Sequence, residues 1–251
     1  MKTEYFKEYS PNLGRDMEWK SYGHAGKPML VFPCQDGRFF DFEDRGMVAA
    51  ASKYIDEGKL QLFCCDSNDQ NSWSRVNDWD NRNRIEQQEK YFHYIVDELC
   101  PRIFEINTNS NGQRAAGIYT TGCSMGASHA VNFLLRRPDI FAGCIAMSGA
   151  YDAKLFFKDY SDDLVYNNSP VDYINGMAYN HPYVQMYRER QIIICCGRGA
   201  WEHPMQEDSA RMKELFGYKD IPAWVDFWGY DVAHDWPWWL KQFPYYLQFV
   251  C

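Results

Sequence analysis

The chain has no surplus of basic residues, no long apolar run and no paired-cysteine metal motif, and each lack removes a class of function. Its 26 Lys and Arg are outnumbered by 34 Asp and Glu, giving a net charge of −8 with no basic stripe. Phosphate backbones are gripped by clustered Lys and Arg, so no nucleic-acid partner is expected. The apolar runs fall far short of the ~18 residues a membrane span requires, so no membrane partner is expected either. The opening residues, MKTEYFKEYSPN, carry neither an apolar stretch nor a small-residue cleavage site, which points to a cytoplasmic location.

No C-x-x-C occurs, and no Cys/His run has zinc spacing. The nine cysteines include two adjacent pairs, Cys64–Cys65 and Cys195–Cys196, inside apolar stretches that read as strands. Neighbouring strand side chains point to opposite faces, so these pairs are badly placed for a local disulfide. Free thiols packed as small hydrophobes in a reducing compartment are the expected state.

What the chain does have is length and aromatic side chains. At 251 residues it can form a single α/β domain that buries a large core. Eighteen Tyr, sixteen Phe and nine Trp make up 17% of the residues, an excess that calls for either unusual packing or an aromatic-walled cleft. Short apolar bursts alternate with helical periodicity. Strands are expected at Lys27–Phe32, Leu60–Cys65, Ala115–Thr121, Phe141–Met147, Ile192–Cys196 and Ala223–Trp228. Helices are expected at Gly46–Tyr54, over Ile85–Ile106 with an interruption or end near Pro101, at Ser124–Arg137, at Met205–Phe216 and from Asp235. Such alternation argues a mostly parallel sheet with helices on both faces. The polar stretch Asp66–Asn71 lacks the glycine and final glutamate of a calcium loop and reads as a solvated loop. Residues 150–190, mixed polar and aromatic, are too long for a plain connection and read as a lid-like insertion.

Gly122-Cys123-Ser124-Met125-Gly126 is a G-x-S-x-G sequence, entered by the apolar run AGIYTT and left by the helix-forming ASHAVNFLLRR. A strand–turn–helix setting lifts the serine hydroxyl above the sheet edge as a nucleophile; the plainer alternative is a serine N-cap. A serine needs a base within hydrogen-bond reach. On such sheets the acid and then the histidine follow the serine in the chain. Of six histidines, only His234 lies after the last expected strand and before the last helix. His129, five residues past Ser124 on the same helix, should point away, and His203 is a local competitor. The acid is expected in the loop after Ile192–Cys196, where Glu202 comes first; Glu207, Asp208 and Asp226 remain alternatives. Two backbone N–H groups should receive the developing oxyanion. Met125 follows the nucleophile, and Gln35 is the choice from the loop Cys34-Gln35-Asp36.

Three stretches resemble the putative-esterase (esterase D-like) branch of the α/β-hydrolases, which also holds feruloyl esterases, S-formylglutathione hydrolases and bacterial mycolyltransferases. They are TTGCSMGASHAVNFLLRRPDIFAGCIAMSGAYD around the elbow, the run from Asn71 to Pro101 with Ser72-Trp73, and Tyr230–Leu240 with His234-Asp235-Trp236 and Trp239. Two loops depart from the usual pattern. Pro33-Cys34-Gln35-Asp36-Gly37 stands where many relatives carry His-Gly, and G-R-G-A-W-E lacks the common G-x-x-D. The resemblance implies one α/β-hydrolase domain over 1–251, with a mostly parallel sheet. It implies a serine carboxylic ester hydrolase working through an acyl-enzyme. Ser124, His234 and Glu202 would form the triad, and no metal or organic cofactor is expected. The substrate would be a small or an aromatic or sugar-linked ester, with Trp73, Trp201 and Trp236 as candidate binding residues. An acyltransferase with the same triad and a non-catalytic binding protein stay open, as does assembly into a homo-oligomer.

Overall fold

Eight strands hydrogen-bond into one sheet in the computed structural model, which describes residues 1–251. They are β1 (Thr3–Ser10), β2 (Arg15–Tyr22), β3 (Lys27–Phe32), β4 (Leu60–Cys65), β5 (Ile118–Cys123), β6 (Phe141–Met147), β7 (Gln191–Cys196) and β8 (Trp224–Phe227), in spatial order β1-β2-β4-β3-β5-β6-β7-β8. The β1–β2 and β2–β4 pairings are antiparallel, and every pairing among β3 to β8 is parallel. The strand order and covering helices are those of an α/β-hydrolase.

Composition explains why the sheet's middle was legible. Every residue of β4 (LQLFCC) is buried, as are five of the six in β7 (QIIICC), because parallel strands are covered on both faces. The N-terminal hairpin was not expected from the sequence. Along β1, exposed residues alternate with half-buried ones, and Glu4, Lys7 and Glu8 sit on a sheet edge where charge discourages further pairing. An edge that is half wet on both faces carries little hydrophobic signal.

The helices are α1 (Asp41–Asp44), α2 (Met47–Ala50), α3 (Ser52–Asp56), α4 (Asn81–His93), α5 (Cys100–Asn111), α6 (Met125–Arg136), α7 (Lys154–Phe157), α8 (Asp163–Asn167), α9 (Pro170–Gly176), α10 (Pro182–Tyr187), α11 (His203–Tyr218) and α12 (Trp236–Val250). Three differences from expectation have local causes. The single helix expected at Gly46–Tyr54 is broken into α2 and α3, because Ala51 turns to φ −92°, ψ 0° between them. The helix expected to be interrupted or to end near Pro101 is irregular just before that residue and continues through it. A π-helical turn, Tyr94–Leu99, re-phases the ladder so that Pro101 falls in the first turn of α5, where a missing N–H costs least. The supposedly solvated loop after β4 is largely internal: Asp66, Asn68 and Asp69 are all buried, each with hydrogen-bond partners. Buried polar groups persist when partnered, and composition cannot reveal partners that lie far along the chain.

One apolar layer, including Phe32, Phe63, Tyr91 and Phe133, fills the face under α4 to α6. The other, including Met29, Val31, Phe243 and Tyr246, lies under α12 and the short helices. Residues 150–190 carry α7 to α10, and much of their aromatic content is core: Tyr151, Phe157, Tyr173 and Tyr187 are buried. All nine cysteines are free thiols. No helix is long and apolar enough to cross a membrane.

Candidate active site

The turn from β5 into α6 sets Ser124 at φ +56°, ψ −124°, a conformation a non-glycine residue adopts only under constraint. The flanking glycines supply the constraint. A Cβ on Gly122 would lie 2.4 Å from the Gly126 carbonyl carbon, and one on Gly126 would lie 2.3 Å from the Phe32 carbonyl oxygen. The elbow and the end of β3 therefore touch backbone to backbone. The Ser124 N–H donates to the Met147 carbonyl at 2.9 Å, which anchors the turn to β6.

Across the sheet edge, the Ser124 hydroxyl lies 2.9 Å from His234 Nε2. His234 Nδ1 lies 3.3 Å from Glu202 Oε2. Glu202 has no solvent exposure, and its other oxygen accepts from Ser148 Oγ at 2.6 Å and from the Gly197 N–H at 3.1 Å. Ser148 Oγ in turn accepts from Trp239 Nε1 at 3.0 Å. A carboxylate satisfied on one oxygen by two donors presents the other as an acceptor for an imidazole N–H. That orders the ring as the Nδ1–H tautomer and leaves the Nε2 lone pair facing the hydroxyl. The His234 N–H also donates to the Ala200 carbonyl at 3.0 Å, which ties the histidine loop to the acid loop.

The structure brings Ser124, His234 and Glu202 together and leaves the competing acids elsewhere. Asp208 accepts from the Tyr151 and Asp152 N–H groups, Asp226 accepts from the Tyr246 hydroxyl at 2.7 Å, and Glu207 is exposed beside His203. His129 turns away from Ser124 toward Asp69. The backbone N–H groups of Met125 and Gln35 donate to no protein acceptor, and Met125 begins α6, whose N-terminus favours negative charge. Burial pushes the neighbouring Cys34 thiol up to about 12, so it stays protonated at neutral pH.

The three tryptophans occupy different settings. Trp73 is buried, donates to Gln88 Oε1 at 2.9 Å, and borders a crevice of about 10 Å³ with Met125, Ala150 and Phe156. Trp201 is 85% exposed on the acid loop. Trp236 packs edge-on against Trp239, which packs edge-on against the His234 ring. Ser148 and Trp239, both inside the stretches that carry the resemblance, hold Glu202 from behind, a role the sequence did not reveal. The S-G-A-Y segment that carries Ser148 at the sheet's C-terminal edge was the available signal. Arg84 was also missed. Fully buried, it clamps the Ser72, Trp73 and Phe156 carbonyls and so fixes the crevice wall.

Residues 10–250 match the family described as putative esterase. Among curated protein sequences, none matches. Solved structures resemble the chain over nearly its whole length. A ferulic acid esterase superposes with a TM-score of 0.73 at 16% identity, covering 99% of this chain and 97% of its own. An S-formylglutathione hydrolase from Agrobacterium tumefaciens gives 0.72 at 14%, covering 98% and 93%. An S-formylglutathione hydrolase from Staphylococcus aureus gives 0.67 at 13%, covering 99% and 96%. At such identities the likeness concerns the fold.

Proposed function

The chain belongs to the putative esterase family and is a serine carboxylic ester hydrolase of the α/β-hydrolase fold, and on that premise we propose that Ser124, His234 and Glu202 carry out the hydrolysis. The observation that supports this reading most directly is the unbroken line from Glu202 through His234 to the Ser124 hydroxyl. In it, Ser124 Oγ attacks the ester carbonyl while His234 Nε2 takes the hydroxyl proton. The imidazolium is stabilised by Glu202, which does not itself take the proton. The carbonyl oxygen becomes an oxyanion held by the Met125 and Gln35 N–H groups, both free to donate. Collapse of that intermediate passes the proton from His234 to the leaving alcohol and leaves an acyl-serine. A water, deprotonated by the same histidine, then releases the acid.

The surroundings support a short acyl group and a larger alcohol. The crevice beside Met125 has room for about one water, walled by Trp73 and Phe156, whereas Trp201 is exposed on the acid loop and Trp236 is half-buried two residues past His234. Aromatic faces there would stack on an aromatic or sugar leaving group. Nine unpaired thiols fit a reducing, cytoplasmic setting.

Replacing Ser124 by Ala is expected to lower nitrophenyl acetate turnover by roughly 10⁴-fold or more, with the circular dichroism spectrum unchanged. A folded variant that turns over like the parent would remove Ser124 from the mechanism. A panel of acetyl, butyryl, longer-acyl and feruloyl esters tests the acyl preference, which should fall steeply beyond the shortest chains.

A further inference from the structure

We propose that Asp69 and His129, remote from the hydroxyl that reacts, form a positioning pair that holds the two oxyanion donors in register; this rests on the Ser124 reading above. The donors come from separate parts of the chain. Met125 opens α6, while Gln35 lies in the loop after β3, so their relative placement depends on whatever joins helix to loop. His129 is one helical turn beyond Met125 on the same face of α6. Its Nε2 lies 2.9 Å from Asp69 Oδ1, and the other oxygen, Oδ2, accepts from the Asp36 N–H at 3.4 Å. Asp36 is the residue after Gln35 and sits at φ +60°, a left-handed conformation that a non-glycine residue keeps only when held.

A second arm grips Gln35 itself. Its side-chain amide donates to Ser74 Oγ at 2.9 Å, and Ser74 Oγ donates to Asp36 Oδ1 at 2.6 Å. The Asp69 carbonyl accepts the Ser74 N–H at 2.9 Å, so both arms start from one residue. On the far side the loop cannot retreat, since the Phe32 and Pro33 carbonyls already abut Gly126. Asp69 has no exposure and His129 only 2%, and the imidazole is enclosed by Phe32, Trp73, Tyr91 and Phe133. A buried carboxylate bridging the elbow helix and the oxyanion loop sets a distance rather than merely filling space. Oxyanion stabilisation is sensitive to such distances, because the donors must meet an atom whose charge appears only in the transition state.

The test uses the intact protein with His129→Phe, His129→Gln, Asp69→Asn and Ser74→Ala. Phenylalanine fits the aromatic cage but removes the N–H that Asp69 binds; glutamine restores an N–H near the same point. Each variant is measured for kcat and KM on nitrophenyl acetate and for affinity toward an aryl trifluoromethyl ketone. In that adduct Ser124 Oγ bonds to the ketone carbon, its proton moves to His234, and the carbonyl π pair becomes an oxyanion. His129→Phe and Asp69→Asn are expected to lose roughly 10²-fold in kcat at unchanged KM, with ketone affinity falling by the same factor. His129→Gln should recover most of that loss. Ser74→Ala, at a half-buried site, removes two hydrogen bonds to the loop and should lose about tenfold in kcat.

Folded variants with parental kcat would overturn the proposal, as would a kcat loss without a matching loss of ketone affinity or a loss carried by KM. If His129→Phe fails to fold, Asp69→Asn decides the matter on the same readouts. Labelling by a fluorophosphonate separates the two readings. An unlabelled Ser124, or an active Ser124→Ala, strikes the esterase site; a labelled Ser124 with indifferent pair variants strikes only the positioning pair.

Discussion

His234 and His129 each rest against a carboxylate with no solvent exposure, Glu202 at 3.3 Å and Asp69 at 2.9 Å. Both are histidine–carboxylate pairs, one joining Nδ1 to a glutamate and the other Nε2 to an aspartate. They differ in what stands beyond the imidazole and in access to water. The second nitrogen of His234 faces the Ser124 hydroxyl, and its side chain is 17% exposed at the sheet edge. His129 is 2% exposed inside a ring of aromatic side chains, and its carboxylate reaches a backbone N–H rather than a reacting group. A histidine–carboxylate pair therefore has no fixed role: on the readings proposed above, it moves protons beside a nucleophile and fixes geometry when sealed between a helix and a loop. Sequence distance runs against function here, since His129 is the near neighbour of Ser124 in the chain and His234 is 110 residues away.

The strongest way to break the comparison is to change the carboxylate on the reactive side. In Glu202→Gln, Ser148 Oγ and the Gly197 N–H would claim the amide oxygen, leaving the NH₂ to face His234 Nδ1. The ring would turn to its other tautomer, with Nε2 protonated and useless as a base. A kcat loss of roughly 10³- to 10⁴-fold is expected, measured on nitrophenyl acetate. Asp226→Asn, which disturbs only the Tyr246 hydroxyl, should stay near the parent.

A smaller effect is expected one layer further out. Ser148→Ala removes a charge-assisted hydrogen bond to Glu202 and leaves Trp239 Nε1 without its acceptor. About tenfold in kcat should be lost, with KM held, because the acid stays in place but is less firmly oriented. An unchanged kcat would show that Gly197 alone suffices to hold Glu202.

The smallest effect sharpens the contrast by taking a buried carboxylate that has no histidine. Asp208 receives the Tyr151 and Asp152 N–H groups, yet burial raises its pKa above the usual carboxylate range. The charged form thus costs the folded state. Its contribution is most favourable below the unfolded pKa and is lost as pH rises through the folded one. Asp208→Asn keeps an acceptor for both N–H groups and removes the charge. Its melting temperature should equal or slightly exceed the parent's at pH 8, and the advantage should disappear on acidification. A marked drop at pH 8 would mean the charge itself holds the start of the 150–190 segment.

What could be read along the chain had a short-range cause. Continuous apolar runs announced β3, β4 and β7 because a strand covered on both faces has no polar position to spare. Ser124 was legible because the glycines that permit its strained turn, Gly122 and Gly126, lie only two residues to either side. The β1–β2 hairpin was not, because a half-wet edge carries little hydrophobic signal, and the inward-facing Asp66 and Asp69 were not, because their partners Arg38 and His129 lie far along the chain. The aromatic excess divided the same way. Its amount was plain from composition, but Tyr173 and Tyr187 went to the core while Trp73 went to the crevice wall.

The sequence by itself determined a mostly parallel sheet, an elbow serine and the chain order in which an acid and a histidine follow it. Those properties depend on local periodicity and local backbone sterics. Only the tertiary structure decided which carboxylate meets which histidine, and that Ser148 and Trp239 stand behind one pair while an aromatic cage closes around the other. Hydrogen bonds between residues tens of positions apart form only after the sheet has brought their strands side by side, so no local pattern encodes them.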